Sequence, residues 1–226
     1  MDHHHPHRHF HHHPVLAGSI ARRDKERSVS PHENQAPGSE RARVLVTSRD
    51  FIRTRQMIRR LRRALPHSDI HGAGFMGVFE VEAEGASAQE TAERISRSGI
   101  EIGHLTAVLA EVPTKLDRIQ EAAVRVAREQ VGEEETFCFR IHKRGSHGLE
   151  LESPRIEREI GSAIWEALEE RFSKEPRVRL TEPDVAVVAE VLGETTLVGV
   201  SRRTWHAADH DHNSMRTESA PGGECI

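Results

Sequence analysis

The stretch from Thr136 to Arg203 constrains the fold most, because its apolar residues change from strand spacing to helix spacing and back. Residues 136–144 alternate apolar and polar side chains, as a half-buried strand does. A loop with two glycines follows at 145–148, and then Ser153 and Pro154 favour the beginning of a helix. This helix is predicted to bury one stripe of apolar side chains: Ile156, Ile160, Ile164, Ala167 and Leu168.

Three further strands complete this stretch. A short strand is predicted at 178–180, a turn at 181–184, and longer strands at 185–192 and 195–203. Residues 185–191 are apolar at nearly every position, which predicts a central strand that is covered on both faces. The order of elements therefore predicts a mixed α/β (α+β) unit.

The composition favours a globular chain with polar ends. Of the 226 residues, 36% are hydrophobic and 30% are charged. No apolar run approaches the ~18 residues of a membrane helix, and no signal-peptide core is visible, so the default expectation is a cytoplasmic protein without a membrane span. Cys138 and Cys225 are too few for a disulfide framework, and Cys138 is expected to be an inert, buried thiol.

The net charge of −4 is not typical of a nucleic-acid-binding protein, but one segment is strongly basic. Seven arginines lie between Arg49 and Arg63, together with the single acid Asp50. A helix predicted at 51–65 exposes most of these arginines. Because few acids in the helix can pair with them, positive charge should remain there and attract a polyanion locally.

Residues 42–131 are predicted to have the order β-α-β-α-β-α. The strands are expected at 43–48, 77–82 and 102–112, and the helices at 51–65, 87–98 and 114–131. Ser87 and Glu90 have the spacing of a capping box, and Thr114 with Asp117 has a similar one. The glycines at 72, 74 and 77 match a dinucleotide-binding pattern, but they precede a strand rather than a helix, so a turn is predicted there.

Motifs in the second half of the chain resemble the THUMP domain, an RNA-binding module of tRNA-modifying enzymes. The motif residues are Phe137, Phe139 and Ile141 before Lys143 and Arg144, then Arg155, Ile156, Arg158, Ile160 and Gly161, then Val178, Leu180, Pro183 and Asp184, and finally Val198, Gly199 and Val200. The resemblance implies a THUMP domain at 132–203 after a ferredoxin-like domain at 42–131. Polar composition predicts disordered tails at 1–41 and 204–226.

Residues 44–48, the glycines before Val78 and residues 107–114 resemble the stand-alone THUMP proteins that bind tRNA for the tRNA cytidine N4-acetyltransferase. The resemblance implies an adaptor, monomeric on its own, that presents the acceptor end of tRNA to an RNA cytidine acetyltransferase. No Walker A pattern or nucleophile elbow is present. The protein is therefore expected not to be an enzyme and to need no cofactor. An RNA-binding subunit of another tRNA-modifying complex is an alternative.

RNA recognition is expected to depend on shape and phosphate contacts. The candidate RNA ligands are basic side chains in the two halves: Arg53, Arg59, Arg60, Arg63, Lys143, Arg144, His147, Arg155, Arg158, Arg202 and Arg203. For Arg155 and Arg158 the alternative role is a surface ion pair with Glu159. Gly161 lies mid-helix, where glycine costs about 1 kcal/mol relative to alanine. It predicts a close approach, either by a strand of the core or by an RNA backbone.

The histidine-rich ends of the chain allow a second functional interpretation. Residues 1–14 contain eight histidines, and three more lie near the other end: His206, His210 and His212. Imidazole is a common metal ligand, so a metal-binding or metal-delivery protein is the alternative to an RNA-binding protein. The polar surroundings predict no preorganised site, so these three histidines are weak metal candidates and no metal centre is predicted.

Overall fold

The computed structural model describes residues 41–50 and 54–206. Its elements are β1 (Ala42–Thr47), α1 (Thr54–Ala64), β2 (Ser68–Gly72), β3 (Val78–Ala83), α2 (Ala88–Arg97), β4 (Leu105–Pro113), α3 (Leu116–Gln130), β5 (Thr136–Arg144), α4 (Ser153–Phe172), β6 (Arg177–Val178), β7 (Val185–Leu192) and β8 (Thr195–Arg202), followed by the 3-10 helix Arg203–Trp205. The prediction of a mixed α/β fold is confirmed. Most of both predicted tails lies outside the described residues. Within those residues, no helix is long and apolar enough to cross a membrane.

The eight strands of the described residues form one sheet in the order β2-β3-β1-β4-β8-β7-β5-β6. β5 runs parallel to β6 and β7, and the other neighbouring strands are antiparallel. Because parallel strands need a crossover connection, α4 leads from β5 towards β7. The pairing of β4 with β8 is the seam that joins the first four strands to the last four.

The helices pack against one face of the sheet, where the main hydrophobic core lies. Alternate strand residues such as Val44, Phe139 and Val187 belong to the same buried cluster as Ile119 and Ile160 of the helices. The opposite face carries no helix among the described residues, and we call it the helix-free face. Its small apolar cluster is formed by Leu45, Val78, Val108 and Leu197, with Phe75 packed against it.

β7 is an interior strand, as predicted, but helices cover only one of its faces. Val185 and Val187 belong to the helix-side core. Val188 and Glu190, on the helix-free face, are 3% and 0% exposed, and Ala186 is half-buried. An apolar run predicts burial but not which groups cause it, and here neighbouring side chains of the sheet shield the second face.

The first half of the chain differs from the predicted β-α-β-α-β-α order, because β2 was missed. β2 has one apolar residue, Ile70, and it pairs only with β3 at the edge of the sheet, where little apolar surface is required. The turn predicted from the glycines joins β2 to β3, with positive φ at Gly74 and Gly77. A separate ferredoxin-like domain stays a prediction, since these strands continue into the same sheet through β4 and β8.

The predicted helix caps have different outcomes. The capping box of α2 is confirmed, because Ser87 Oγ accepts from the Glu90 amide at 3.1 Å and Glu90 Oε2 accepts from the Ser87 amide at 2.7 Å. The predicted cap of α3 is wrong, because its N-cap residue is Lys115, without a side-chain cap bond. α4 begins at Ser153 as predicted, but its N-cap residue is Glu152, also without a side-chain cap bond. Thr114 instead donates its hydroxyl to the carbonyl of Gly193, at 2.8 Å, in the turn between β7 and β8.

Candidate functional site

A groove of about 590 Å³ runs between helix α4 and the strand edge formed by β5 and β6. We call it the α4 groove, and its walls include Pro154, Arg158, Gly161, Trp165, Val178 and Leu180. Val178 and Leu180 are 53% and 64% exposed. Large apolar side chains exposed next to each other are typical of a contact surface. The lining also contains Arg140, Glu157 and Glu166, and Arg140 pairs with Glu157. The groove therefore offers a ligand apolar walls and the cation of Arg158.

Gly161 forms part of the groove wall and has open space in front of it. A methyl group at position 161 would have nothing within 4 Å. The expectation that a core strand approaches this glycine is therefore wrong. The described residues contain no packing partner that explains a glycine in mid-helix, and approach by an RNA backbone stays a prediction.

Arg158 is the predicted RNA ligand that lines the α4 groove. It is exposed, and no acidic side chain of the described chain pairs with it. The alternative role, an ion pair with Glu159, belongs to Arg155, whose Nε lies 3.0 Å from Glu159 Oε1. Such an exposed i, i+4 pair contributes only about 0.3–0.5 kcal/mol. Arg155 can therefore exchange this partner for a ligand at low cost.

Four other predicted RNA ligands contact groups of the protein itself. Lys143 donates a hydrogen bond to the carbonyl of Leu151, and Arg144 donates to Glu190 Oε2 at 2.5 Å. Arg202 donates to Glu135 Oε1 at 2.8 Å, and Arg203 donates to Asp184 Oδ1 at 2.6 Å. His147 accepts a hydrogen bond at Nδ1 from the Leu149 amide at 3.1 Å. The role of these side chains as RNA ligands stays a prediction, and each of them already stabilises the fold.

Helix α1 carries a second basic surface. Arg59, Arg60 and Arg63 are exposed, the helix has no acid in its first turn, and no carboxylate of the described chain pairs with these three arginines. Arg53 lies outside the described residues. α1 packs near β2 and α2, whereas α4 packs against β5. β2 and β5 are six steps apart in the sheet. With neighbouring strands ~4.8 Å apart, the two basic surfaces are separated by roughly 30 Å, so only an extended polyanion can contact both.

Arg140 and Glu157, which the sequence analysis did not select, close the edge of β5. Glu157 accepts from the amide of Ile141 and from Arg140 Nη1, both at 3.1 Å. Arg140 Nη2 also donates to the carbonyl of Leu180 at 2.5 Å. These contacts separate the α4 groove from a second pocket, on the helix-free face. A glutamate in a helix is usually exposed to solvent, so nothing in the sequence indicated that Glu157 would bind β5.

The second pocket, which we call the helix-free pocket, has a volume of about 870 Å³. It is lined by three histidines, His104, His142 and His206, and by small side chains of the sheet, including Cys138, Ala186 and Ser201. The rings of His104 and His142 are 5.3 Å apart, centroid to centroid. Burial lowers the pKa of His104, and the neighbouring positive charge of His142 lowers it further. His104 is therefore mainly neutral at pH 7.

Glu190 lies beside this pocket and has no exposed surface. His142 Nδ1 is 3.0 Å from one of its oxygens, and Arg144 Nη1 is 2.5 Å from the other. Burial alone would raise the pKa of Glu190, but the hydrogen bond from His142 and the charges of His142 and Arg144 outweigh it, so the pKa lies below its ordinary value. A glutamate within an apolar strand was the sequence signal for this group, and the sequence analysis missed it.

Of the weak metal candidates, only His206 lies within the described residues, and its Nε2 is 3.0 Å from Ser201 Oγ. His210 and His212 lie outside them. The assignment of no metal centre thus stays a prediction for that part of the chain.

A different set of metal-capable side chains lies on the hairpin of β2 and β3: His71, Glu80 and Glu82, with ligand atoms within 4.8 Å of one another. Arg41 lies 3.7 Å from the carboxylate of Glu82, and Arg43 lies 3.7 Å from that of Glu80. These arginines already offset the negative charge that would attract a cation, so we do not assign a metal site to these three side chains.

A comparison with protein-family sequence models matches residues 113–201 to the THUMP domain. Residues 113–201 are a THUMP domain. This THUMP domain includes the α4 groove, and its presence supports a role in RNA binding and tRNA modification. The match begins before the predicted boundary at residue 132 and takes in α3, which the sequence analysis assigned to the preceding domain. That boundary stays a prediction.

Several solved structures have a similar fold and are distant in sequence. They include PH1313 from Pyrococcus horikoshii Ot3 (19% identity, TM-score 0.50, 72% of this chain and 55% of that chain), a 4-thiouridine synthetase in complex with RNA and ATP (17%, 0.50, 72% and 42%) and SMU.472, a putative methyltransferase complexed with SAH (14%, 0.51, 72% and 42%). At these identities the likeness shows a shared fold. This chain matches about half or less of the length of those proteins. A comparison with curated proteins finds no match.

The expectation that this protein is not an enzyme is wrong as an inference from its sequence. The proteins that share its fold include a 4-thiouridine synthetase and a putative methyltransferase. The absence of catalytic motifs in 226 residues therefore does not distinguish a non-enzyme from the RNA-binding part of an enzyme.

Proposed function

We propose that this chain binds tRNA for a modification reaction and that the unpaired acceptor end of the tRNA lies in the α4 groove. The observation that carries the proposal is the open wall at Gly161 beside Arg158, which pairs with no acid of the described chain, within a THUMP domain. A mid-helix glycine without an internal packing partner is expected where a ligand backbone approaches the helix.

The walls of the groove match the chemistry of unpaired nucleotides. Proteins bind single-stranded RNA by stacking its bases on aromatic or apolar side chains and by contacting its phosphates with cations. Trp165, Val178 and Leu180 supply such surfaces, and Arg158 supplies the cation. One stacked base contributes about 1–3 kcal/mol, which is enough to distinguish a tRNA with its acceptor end from a trimmed one.

The arginines of α1 extend this proposal to the double-stranded part of the tRNA. Arg59, Arg60 and Arg63 lie roughly 30 Å from the α4 groove by strand spacing, so an RNA stem that leaves the groove can contact them through its phosphates. Each phosphate contact that is lost should reduce the slope of log K against log salt concentration by about 0.9.

The finer proposal is that the tRNA is presented to an RNA cytidine acetyltransferase that forms N4-acetylcytidine. Its support is the resemblance of residues 44–48 and 107–114 to stand-alone THUMP adaptors. It is tested by adding this chain to that enzyme and tRNA and measuring N4-acetylcytidine, which should rise with the wild type and not with a variant whose groove is blocked.

Binding of tRNA is tested with two variants of the groove. Gly161→Leu fills the groove while it favours the helix, and Arg158→Ala removes the cation. Gly161→Leu is expected to weaken binding of tRNA by about tenfold or more, since one stacked base accounts for about 1–3 kcal/mol. Arg158→Ala is also expected to weaken it, because a phosphate loses its cation. Neither should change binding of a tRNA trimmed of its unpaired end by as much. The measurement is a fluorescence titration at several salt concentrations.

Arg118→Ala is the matched control, because Arg118 is an exposed helix arginine paired only with Glu121, on α3. It should leave tRNA affinity unchanged. The proposal is wrong if the wild type binds duplex DNA as well as tRNA, or if Gly161→Leu and Arg158→Ala bind tRNA as the wild type does.

A further inference from the structure

Side chains from both halves of the sheet meet on the helix-free face. Gly199 of β8 has no side chain, and a Cβ there would lie 1.9 Å from the carbonyl oxygen of Ala107. Across this gap Thr106 Oγ1 of β4 reaches Glu190 Oε1 of β7 at 3.4 Å. The ring of His104, just before β4, lies 5.3 Å from that of His142 on β5. The THUMP domain and the strands before it therefore build this face together.

The buried ion pair on this face orients His142. Glu190 is ionised and can only accept hydrogen bonds, so the contact at 3.0 Å requires a proton on Nδ1 of His142. Arg144 holds the second oxygen of the same carboxylate. The remaining nitrogen, Nε2, belongs to a ring that lines the helix-free pocket. A buried ion pair is often no more stable than apolar side chains of similar volume. Here the pair fixes the orientation of the His142 ring at the pocket.

The shape and charge of the pocket match a nucleotide. Its wall on the sheet consists of small side chains of adjacent strands: Cys138, Ala186, Val188 and Ser201. Imidazole rings also line the pocket, and a planar heteroaromatic ring can stack on them. Three arginines and one glutamate line the pocket. Each arginine already pairs with a carboxylate of the protein, so a phosphate at the rim would share a guanidinium with that carboxylate.

The helix-free pocket adjoins the α4 groove. Both cavities are lined by Cys138, Arg140 and Leu180. The hydrogen bond from Arg140 to the carbonyl of Leu180 crosses the boundary between them. A single strand that leaves the groove at this point passes directly over Arg140 onto the helix-free face.

We propose that the helix-free pocket binds one unpaired nucleotide of the RNA that occupies the α4 groove. The base lies against Ala186 and Ser201, the half-buried side chains of the wall, the Nε2 atom of His142 contacts the base edge, and the phosphate lies at Arg140. This inference rests on the proposed function and adds a second, separate subsite to it.

The test uses RNA hairpins that share one stem and carry unpaired 3′ tails of zero to four nucleotides. Wild-type affinity is expected to rise by about tenfold at one tail length, since one stacked base contributes about 1–3 kcal/mol. Ala186→Phe fills the pocket and His142→Asn keeps a donor for Glu190 while it removes Nε2. Both variants should lose this step in affinity and bind the shorter tails as the wild type does. Gly161→Leu should instead weaken binding of every hairpin that has an unpaired tail and change the affinity for the hairpin without a tail much less.

A second readout keeps the proposal testable if Ala186→Phe does not fold. Cytidine and adenosine monophosphates are titrated into the wild type and His142→Asn while the imidazole NMR signals of His104 are followed. The signals should shift in the wild type and shift much less in the variant. The subsite is disproved if the variants retain the step in affinity, or if the wild type has no step although it binds the hairpins. If the wild type binds no hairpin, the proposed function itself fails.

Discussion

At the scale of single residues, Asp184 connects three parts of the THUMP domain. Its Oδ2 accepts from the amide and from the hydroxyl of Thr136, each at 2.8 Å, and its amide donates back to Thr136 Oγ1 at 2.9 Å. Arg203 binds the other oxygen at 2.6 Å. The hydrogen bonds from the amide and the hydroxyl of Thr136 lower the pKa of Asp184 below its ordinary value of 3.8.

The sign of this pKa shift predicts how Asp184→Asn responds to acid. A carboxyl whose pKa is lowered by folding stabilises the fold above its unfolded pKa, and this stabilisation is lost as the pH falls through the lower folded pKa. Asp184→Asn should therefore be less stable than the wild type at pH 7. The difference in free energy of unfolding should shrink below about pH 3.8, as urea denaturation from pH 7 to pH 2.5 would measure.

His104 is present in both the wild type and Asp184→Asn. Its effect on stability at low pH therefore serves as an internal reference in this experiment. Its pKa is lowered by burial, so protonation of the unfolded chain reduces stability as the pH falls below about 6.5. This loss should be equal in the two proteins. A difference between them that is the same at pH 7 and at pH 2.5 would contradict the role of the Asp184 charge.

At the scale of elements, the first turns of α2 and α3 show which helix caps depend on local sequence and which depend on distant residues. The capping box of α2 uses two residues three apart in sequence, Ser87 and Glu90, and the sequence predicts it correctly. Thr114 has similar local spacing before α3, but its hydroxyl bonds to Gly193, 79 residues away. A local pattern therefore predicts a cap only where no distant backbone group competes for the same side chain.

The capping box of α2 predicts the effect of a single substitution. Ser87→Ala should lower the free energy of unfolding by about 1 kcal/mol, because the amide of Glu90 loses its acceptor. Ser87→Gly should cost only a few tenths of a kcal/mol, since glycine is a good N-cap residue. Urea denaturation of both variants measures the difference. Equal loss in the two variants would mean that the cap does not stabilise α2.

The site at the scale of elements was only partly predictable. Arg158 and Gly161 were selected from the THUMP motif, and both line the α4 groove. Lys143 and Arg144 were selected for the same reason, but they bind Leu151 and Glu190. The position of a residue in the motif predicts that the domain requires it, either for binding or for folding. It does not distinguish a side chain that binds a ligand from one that stabilises the fold.

At the scale of the whole molecule, β4 and β8 unite what the sequence predicts as two domains. Gly199 makes this seam possible, because any side chain there would overlap the carbonyl of Ala107, on the neighbouring strand. The register of the pair also shifts between Val108 and Ala110. The described strands therefore form one sheet, which should unfold cooperatively rather than in two steps.

Gly199→Ala tests the role of this seam. The clash is with backbone, which cannot move as a side chain does, so the free energy of unfolding should fall by about 2–3 kcal/mol. Gly72→Ala is the matched control, because Gly72 also lies in a strand and has nothing within 4 Å of a Cβ. Urea denaturation followed by circular dichroism and by tryptophan fluorescence would measure both. An unaffected Gly199→Ala, or two separate transitions in the wild type, would contradict a single sheet joined at this seam.

The sequence by itself determined the features that depend on near neighbours in the chain. These are the α/β class, the spacing of the long strands and helices, the capping box of α2 and the motifs of the THUMP domain. Only the tertiary structure decided which basic side chains remain available to RNA. Arg144 and Glu190 are 46 residues apart, and Arg202 and Glu135 are 67 apart. Ion pairs depend on distance in space, and the sheet that brings these residues together is created only when its strands pair.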